Sequence, residues 1–283
     1  MLFFLDGAPG RELDSTAEPV VKIYQVDAFT DQPFSGNPAA VCPLPAARSV
    51  EWMQNVAAEM NLSETAFFWP THNGWELRWF TPAVEVALCG HATLATAHVA
   101  WETRRATVGQ TLNFLTRSGP LSATRSGKSI TLDFPAQPAE AVDAPPGLTA
   151  ALGGVEAQWV GRNRENYLAL LADEAAVRDL APDFRALSTL DAQGVIVTAV
   201  ATMEGYDFVS RYFAPAAGIN EDPVTGSAHC ALAPFWRQRL GKEEMVGYQA
   251  SRRGGRVRVR NRGRRVELAG QAVTVLEGEL LAG

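Results

Sequence analysis

Two stretches of this 283-residue chain are copies of one pattern: RWFTPAVEVALCGHATLATAHVA from Arg78 to Ala100, and RYFAPAAGINEDPVTGSAHCALA from Arg211 to Ala233. Each opens on Arg, an aromatic residue and Phe, then reaches a proline that cannot donate to a β-ladder, which predicts a strand that ends there. Each then turns into a helix. Gly90-His91-Ala92 in the first answers Gly226-Ser227-Ala228 in the second, and three extra residues close to Glu221-Asp222-Pro223 lengthen the second loop. A chain that repeats a strand, loop and helix at this separation is constrained to fold as two like halves.

Glycine at the mouth of a helix lets a ligand approach the backbone, and the first free N–H groups together with the helix dipole favour an anion there. Two copies predict two such mouths. If the halves pack about a pseudo-two-fold axis, both mouths face one cleft, with His91 on one side and Asp222 and Ser227 on the other. The alternative is a pair of ordinary capped helices on separate surfaces. The duplication, and the acid, hydroxyl and imidazole groups it carries, weigh against that alternative.

The length suits two domains of ordinary size, and an apolar fraction of 47% supports full cores. A net charge of −6 argues against nucleic acid or an anionic membrane as the main partner. One local exception runs from Arg252 to Arg265 and holds eight arginines. Its period-two alternation about Asn261-Arg262-Gly263 predicts a solvated hairpin rather than a polyanion site. The three cysteines, Cys42, Cys89 and Cys230, give neither an even framework nor metal-ligand spacing, so a reducing cytoplasm is expected. The opening MLFFLDGAPGREL is broken by Asp6 and lacks a basic leader; no signal peptide or anchor is read from it, and residues 1–17 are expected to form a loose arm. No apolar run reaches the ~18 residues of a membrane helix. Dinucleotide-binding GxGxxG after a strand, a P-loop, paired CxxC and HExxH are all missing, so neither cofactor nor metal is expected.

Along the chain, strands are predicted at Val21–Phe29, Ala39–Cys42, Thr65–Trp69 and Trp75–Phe80, with a helix from Ser49 to Met60 capped by Ser49. Glu64 stands at the threshold of the apolar strand TAFFW. Desolvated there, its carboxyl would exchange a proton near neutral pH; a solvated loop glutamate is the plainer alternative. Cys89 precedes a helix mouth whose dipole would lower a thiol pKa, or it is a small apolar filler. His91, in the first turn, is favoured as a neutral imidazole. Asn37 either aims its amide into the cleft or makes the turn Ser35-Gly36-Asn37-Pro38. The Pro-rich run Pro135–Pro146 reads as the connection between halves. In the second half, strands are predicted near Gln158–Val160, Tyr167–Leu171, Gly194–Val200 and Phe208–Phe213, with helices near Glu174–Leu187 and from Gly226 to about Leu240, the latter kinked by Pro234. The final QAVTVLEGEL is matched with SITLDF (129–134) of the first half, and the last strand of each half is expected to be exchanged. Gln193-Gly194 stands where the first half has Ser63-Glu64, so the glutamate is not duplicated.

Taken together, VDAFTDQPFSGNPAAV, NLSETAFF, CGHAT and EDPVTGSAHCALAPFW resemble the PhzF-like isomerases of phenazine biosynthesis, a likeness running from about Val20 to Leu280. The resemblance implies the diaminopimelate-epimerase fold: α+β, two pseudo-symmetric domains, each a mostly antiparallel sheet or barrel around a central helix. The expected halves are 18–126, with a strand at 272–283 as the candidate to complete it, and 127–271. It implies a homodimeric, cofactor-independent isomerase that moves a proton and a double bond on a small carboxylate. By motif, Glu64 is the general acid/base, with His91, Asp222 and Ser227 as relay and binding partners; Gly90, Gly226, Thr225, Asn37 and Cys89 fall on the substrate-binding side. Related racemases use two cysteines, but Thr225 stands in the second place, which disfavours a two-thiol mechanism. A single-thiol epimerase using Cys89, or a scaffold that retains the fold, are the alternatives.

Overall fold

The computed structural model describes residues 20–281; the arm expected over residues 1–17 lies outside them. The first half comprises β1 (Val21–Ala28), β2 (Asn37–Pro43), α1 (Val50–Met60), β3 (Glu64–Thr71), β4 (Gly74–Phe80), β5 (Glu85–Val86), α2 (Gly90–Glu102), β6 (Leu112–Thr116), β7 (Gly119–Ser126) and β8 (Ser129–Pro135). After them come β9 (Glu140–Ala141), α3 (Leu148–Ala151), β10 (Trp159–Arg162), β11 (Asn166–Leu170), α4 (Glu174–Arg178), α5 (Phe184–Leu187), β12 (Gly194–Val200), β13 (Phe208–Phe213), α6 (Gly226–Leu240), β14 (Glu244–Gln249), β15 (Gly255–Asn261), β16 (Arg265–Gly270) and β17 (Ala272–Leu280).

The duplication extends far beyond the two loops that announce it. In the first half β1, β2, β3, β4, β6, β7 and β8 lie side by side with senses antiparallel, parallel, antiparallel, parallel, antiparallel, antiparallel. The strands β10 to β16 repeat that series of senses in order. The halves meet where β8 pairs with β16, and Ile130 has Arg125 of β7 on one side and Gly270 on the other. The two strands that cross over are β9, which pairs with β10, and β17, which pairs along its length with β1. This corrects the expected correspondence: SITLDF is matched by β16, and the partner of the final strand in the repeat is the short β9 inside the Pro-rich run. At two residues, β9 is too short to carry a strand pattern in the sequence.

Each half wraps its sheet around one helix, and the fold is α+β in two like halves. All of α2 except His98 and Glu102 is buried, and alanines at 92, 95, 97 and 100 let the strands come close. Buried threonines would leave hydroxyls unpaired, but Thr93 and Thr96 donate to the carbonyls of Cys89 and Ala92 one turn back. In α6, Pro234 has no N–H for the Cys230 carbonyl and yet the helix continues through it. That carbonyl accepts instead from the backbone N–H of Gln137, which fastens the connection between halves onto the helix.

Local chemistry explains the other elements. Ser49 caps α1 by accepting from Trp52 N–H, and Asn61 ends it in the left-handed region at φ 50°. On β15, Val257 and Val259 face inward while Arg256 and Arg258 face solvent; Asn261 and Gly263 make the turn, and Asp133, Glu244 and Glu267 answer the arginines nearby. The helix expected over Glu174–Leu187 is two short ones. Pro182 disfavours helical geometry at Ala181, Asp183 starts α5 by accepting from the N–H groups of Arg185 and Ala186, and Arg211 takes the carbonyls of Val177, Arg178 and Leu180.

Candidate functional site

The arginine that opens each repeated stretch clamps its own loop. Arg78 binds Glu85 through two N–H···O contacts of 2.7 Å, and Arg211 binds Glu221 through contacts of 2.7 and 3.0 Å. Counting on from either glutamate, Val86 matches Asp222, Cys89 matches Thr225 and His91 matches Ser227. The three extra residues therefore fall just upstream, at the 3₁₀ turn Pro215–Ala217, rather than at Glu221-Asp222-Pro223. The clamps bring the two helices mouth to mouth. A Cβ on Gly90 would stand 3.0 Å from the Cα of Gly226, and one on Gly226 would stand 3.1 Å from the Cα of Gly90. Only glycines permit that approach, and it leaves two positive helix ends facing the same space.

Around this contact lies a cavity of about 330 Å³ lined by Glu64, Cys89, Gly90, His91, Asp222, Thr225, Gly226 and Ser227, eight of the nine residues singled out in the sequence. Glu64 opens β3, paired with Ala39 of β2. Its Oε2 lies 3.3 Å from His91 Nε2, and both atoms are buried without a hydrogen-bond partner. From the second half, Asp222 accepts at Oδ2 from the Thr225 hydroxyl. The ninth residue, Asn37, is not on the cavity wall as expected. It is fully buried behind it, its amide nitrogen 3.1 Å from His91 Nδ1, 2.8 Å from Asp222 Oδ1 and 2.9 Å from the Val224 carbonyl. Gly36, at φ 67°, makes the turn that sends Asn37 inward; a side chain there would collide with the Ala28 carbonyl.

Sequence reasoning missed Gln249. It is fully buried, accepts from Thr225 N–H, and donates to the Asp222 carbonyl and the Thr225 hydroxyl, so it holds the loop before α6. The signal was present: Met245, Gly247 and Gln249 alternate on the core face of β14, and a polar residue on such a face calls for a partner. Gln137, Glu165, Gln193 and Tyr212 complete the second-half wall. At the position matching Glu64 stands Gly194, where a Cβ would meet the Tyr212 hydroxyl at 2.5 Å. The cavity thus has a proton-accepting carboxyl at only one of its two symmetry-related places.

Burial dominates the electrostatics. It pushes the Glu64 carboxyl up to about 8, with the nearby Asp222 charge adding to the rise and the Cys89 thiol opposing it. Asp222 rises to about 6, restrained by its bonds from Thr225 and Asn37. His91 falls to about 3 and stays neutral at physiological pH. The lowered thiol expected of Cys89 is reversed: burial, then the Glu64 charge, hold it well above the ordinary value, and the helix dipole does not compensate. Glu64, Cys89 and His91 each offer a ligand atom within 4.8 Å of the others, so the trio meets the distance requirement for a metal ion. No helix among the described residues is long and apolar enough to cross a membrane.

A family model described as phenazine biosynthesis-like protein, PhzC-PhzF, matches residues 26–278. An uncharacterised isomerase of Halalkalibacterium halodurans is 53% identical over 260 residues, covering 92% of this chain and 98% of that protein. A PhzF-family protein from Enterococcus faecalis, known from its crystal structure, superposes with a TM-score of 0.88 at 43% identity, covering 93% of this chain and 99% of the other. A probable proline racemase of Agrobacterium radiobacter K84 reaches a TM-score of 0.62 at 11% identity over 93% of each chain, a likeness of fold alone.

Proposed function

The chain belongs to the phenazine biosynthesis-like family, and on that footing we propose that it is a cofactor-independent isomerase that relocates a proton, and with it a double bond, on a small carboxylate. Glu64 removes a proton from a carbon next to an unsaturated or carbonyl-like group and returns it along the same face. The observation that carries this reading is the carboxyl itself: it faces the cavity, and its affinity for a proton is set by burial to about 8, so it can take and give one near neutral pH. Among the described residues no lysine or arginine lines the cavity, so negative charge on the substrate or on the intermediate is met by the two helix mouths. A volume of about 330 Å³ suits a metabolite rather than a polymer. The relatives named isomerases support the reaction class.

Asp222 and Ser227 are assigned to binding on the opposite wall. A two-fold assembly of whole chains and a cytoplasmic setting complete the proposal. The test is a screen of small unsaturated carboxylates for solvent deuterium incorporation by the wild-type protein and by Glu64→Gln. Loss of a general base lowers rates by ~10²–10⁴, so exchange should collapse in the variant at unchanged thermal stability near pH 5. Equal exchange by both proteins would remove Glu64 from the mechanism.

A further inference from the structure

We propose that Asn37 is a positioning residue that fixes His91 in the tautomer with its proton on Nε2, so that an N–H rather than a bare nitrogen faces Glu64 and His91 is not a relay. The argument starts from the amide, whose oxygen and nitrogen are told apart only by what surrounds them. Turned the other way, its oxygen would face two acceptors, Asp222 Oδ1 and the Val224 carbonyl, at 2.8 and 2.9 Å. The NH₂ group must therefore point at them, and the same nitrogen lies 3.1 Å from His91 Nδ1. With its two hydrogens on those acceptors the amide nitrogen can accept nothing, so a protonated Nδ1 would find no acceptor there, and Nδ1 is the bare nitrogen of a neutral imidazole set against the positive edge of the NH₂. The Cys89 sulfur lies 3.6 Å from the same Nδ1 and can serve either tautomer, so the amide decides between them. The imidazole proton is left on Nε2, 3.3 Å from Glu64 Oε2.

Two consequences follow for the chemistry. A relay through His91 would have to pass a proton from Nε2 out through Nδ1, and an amide NH₂ cannot accept it. The Nε2–H instead turns its positive end toward Glu64 in the states where Glu64 is an anion, before it takes the substrate's proton and after it has returned it. The same hydrogen occupies the imidazole nitrogen that faces Glu64, which takes it out of service as a metal ligand despite the favourable spacing. Asn37 also spans the halves, since His91 belongs to one and Asp222 to the other.

The kinetic part rests on the isomerase reading; the tautomer does not, so the two can fail separately. Protein labelled with ¹⁵N-histidine, its four imidazoles assigned with the help of His91→Gln, reports the tautomer directly by long-range ¹H–¹⁵N correlation. The expected result is one Nε2–H tautomer for His91 in the wild type from pH 5 to 9. Asn37→Leu, similar in shape but without a donor, should mix the tautomers and lower kcat by roughly ten- to a hundred-fold, with KM changed less than about threefold. A wild-type spectrum showing Nδ1–H, or Asn37→Leu retaining both the pure tautomer and kcat, overturns the proposal. The wild-type measurement stands even if that variant does not fold. If Glu64→Gln exchanges deuterium as well as wild type, the assignment of the base to Glu64 fails and the tautomer result remains.

Discussion

An alanine at Gly90 would set its methyl carbon 3.0 Å from the Cα of Gly226, roughly 0.5–1 Å inside the ~3.5–4.0 Å at which carbon atoms rest against each other. The obstacle is backbone, so no rotamer change relieves it, and the two helix mouths must separate. Overpacking of this kind costs about 1–3 kcal/mol. Part is offset by the better helix propensity of alanine, worth up to about 1 kcal/mol in a helix interior and less at the first position. With an unfolding entropy of ~2.1 cal/mol/K per residue, a chain of this length loses about 1–4 °C in Tm for a net cost of about 0.5–2.5 kcal/mol. Turnover should suffer more, because misplacing catalytic groups by ~1 Å can cost 10²-fold. Gly226→Ala should do the same through the same contact, so the effects of the two substitutions on Tm should fail to add by more than ~0.5 kcal/mol. The assays are differential scanning fluorimetry and deuterium exchange on any ligand that the wild type turns over. Wild-type Tm and exchange in both single variants would show that the mouths do not need to touch.

The Glu64 carboxyl, raised from 4.5 to about 8 in the folded state, keeps a proton that the unfolded chain releases; this contribution is full below pH 4.5 and is lost as pH rises to about 8, with Asp222 acting in the same sense between 3.8 and about 6. Glu64→Gln removes the larger part, so its Tm relative to wild type should climb between pH 5 and pH 8.5, and a constant difference would contradict the burial argument. Asp27 is buried and accepts from Phe34 N–H at 2.7 Å and from Arg253 at 2.7 Å; Asp27→Ala strands that N–H and leaves the partly exposed guanidinium only the Gly36 and Ser35 carbonyls, which should cost about 1–3 kcal/mol, visible as a Tm loss of roughly 2–5 °C, whereas a shift under 1 °C would mean the pair is dispensable. Cys89→Ala should keep exchange within about tenfold of wild type, and its abolition would return the chemistry to the thiol.

The sequence was most transparent where local signals agree. Gly194–Val200, Phe208–Phe213 and Gly226–Leu240 were placed to within a residue because apolar runs, bounding glycines and the repeat all pointed the same way. The stretch from Glu174 to Leu187 misled because its apolar spacing suits one helix; Pro182 and the cap at Asp183 win locally, and Arg211, far along the chain, supplies the hydrogen bonds that settle it. Glu64, His91, Asp222 and Ser227 were legible as residue types at strand and helix starts. What Asn37 and Gln249 do was not, since an amide's role depends on neighbours that only folding brings within 3 Å, and Asn37 reaches 185 residues along the chain to find Asp222.

The crossing of β9 and β17 sets an order of events during biosynthesis. Everything that covers β10 to β16, including β9 and β8, lies upstream of or among those strands, so the second half has its full set of edges as soon as Gly270 has been made. The first half is different: β1, made first of the seventeen described strands, pairs with β2 on one edge but finds the partner for its other edge only in β17, the last. Until Ala272–Leu280 emerges, β1 keeps one edge of exposed N–H and C=O groups, and such an edge is a template for pairing with a neighbouring chain. The older half of a nascent molecule therefore finishes after the younger half. Loop closure between the most distant strands is the step that seals it, and a ribosome stalled before residue 272 holds a chain whose earliest residues are still open to mispairing.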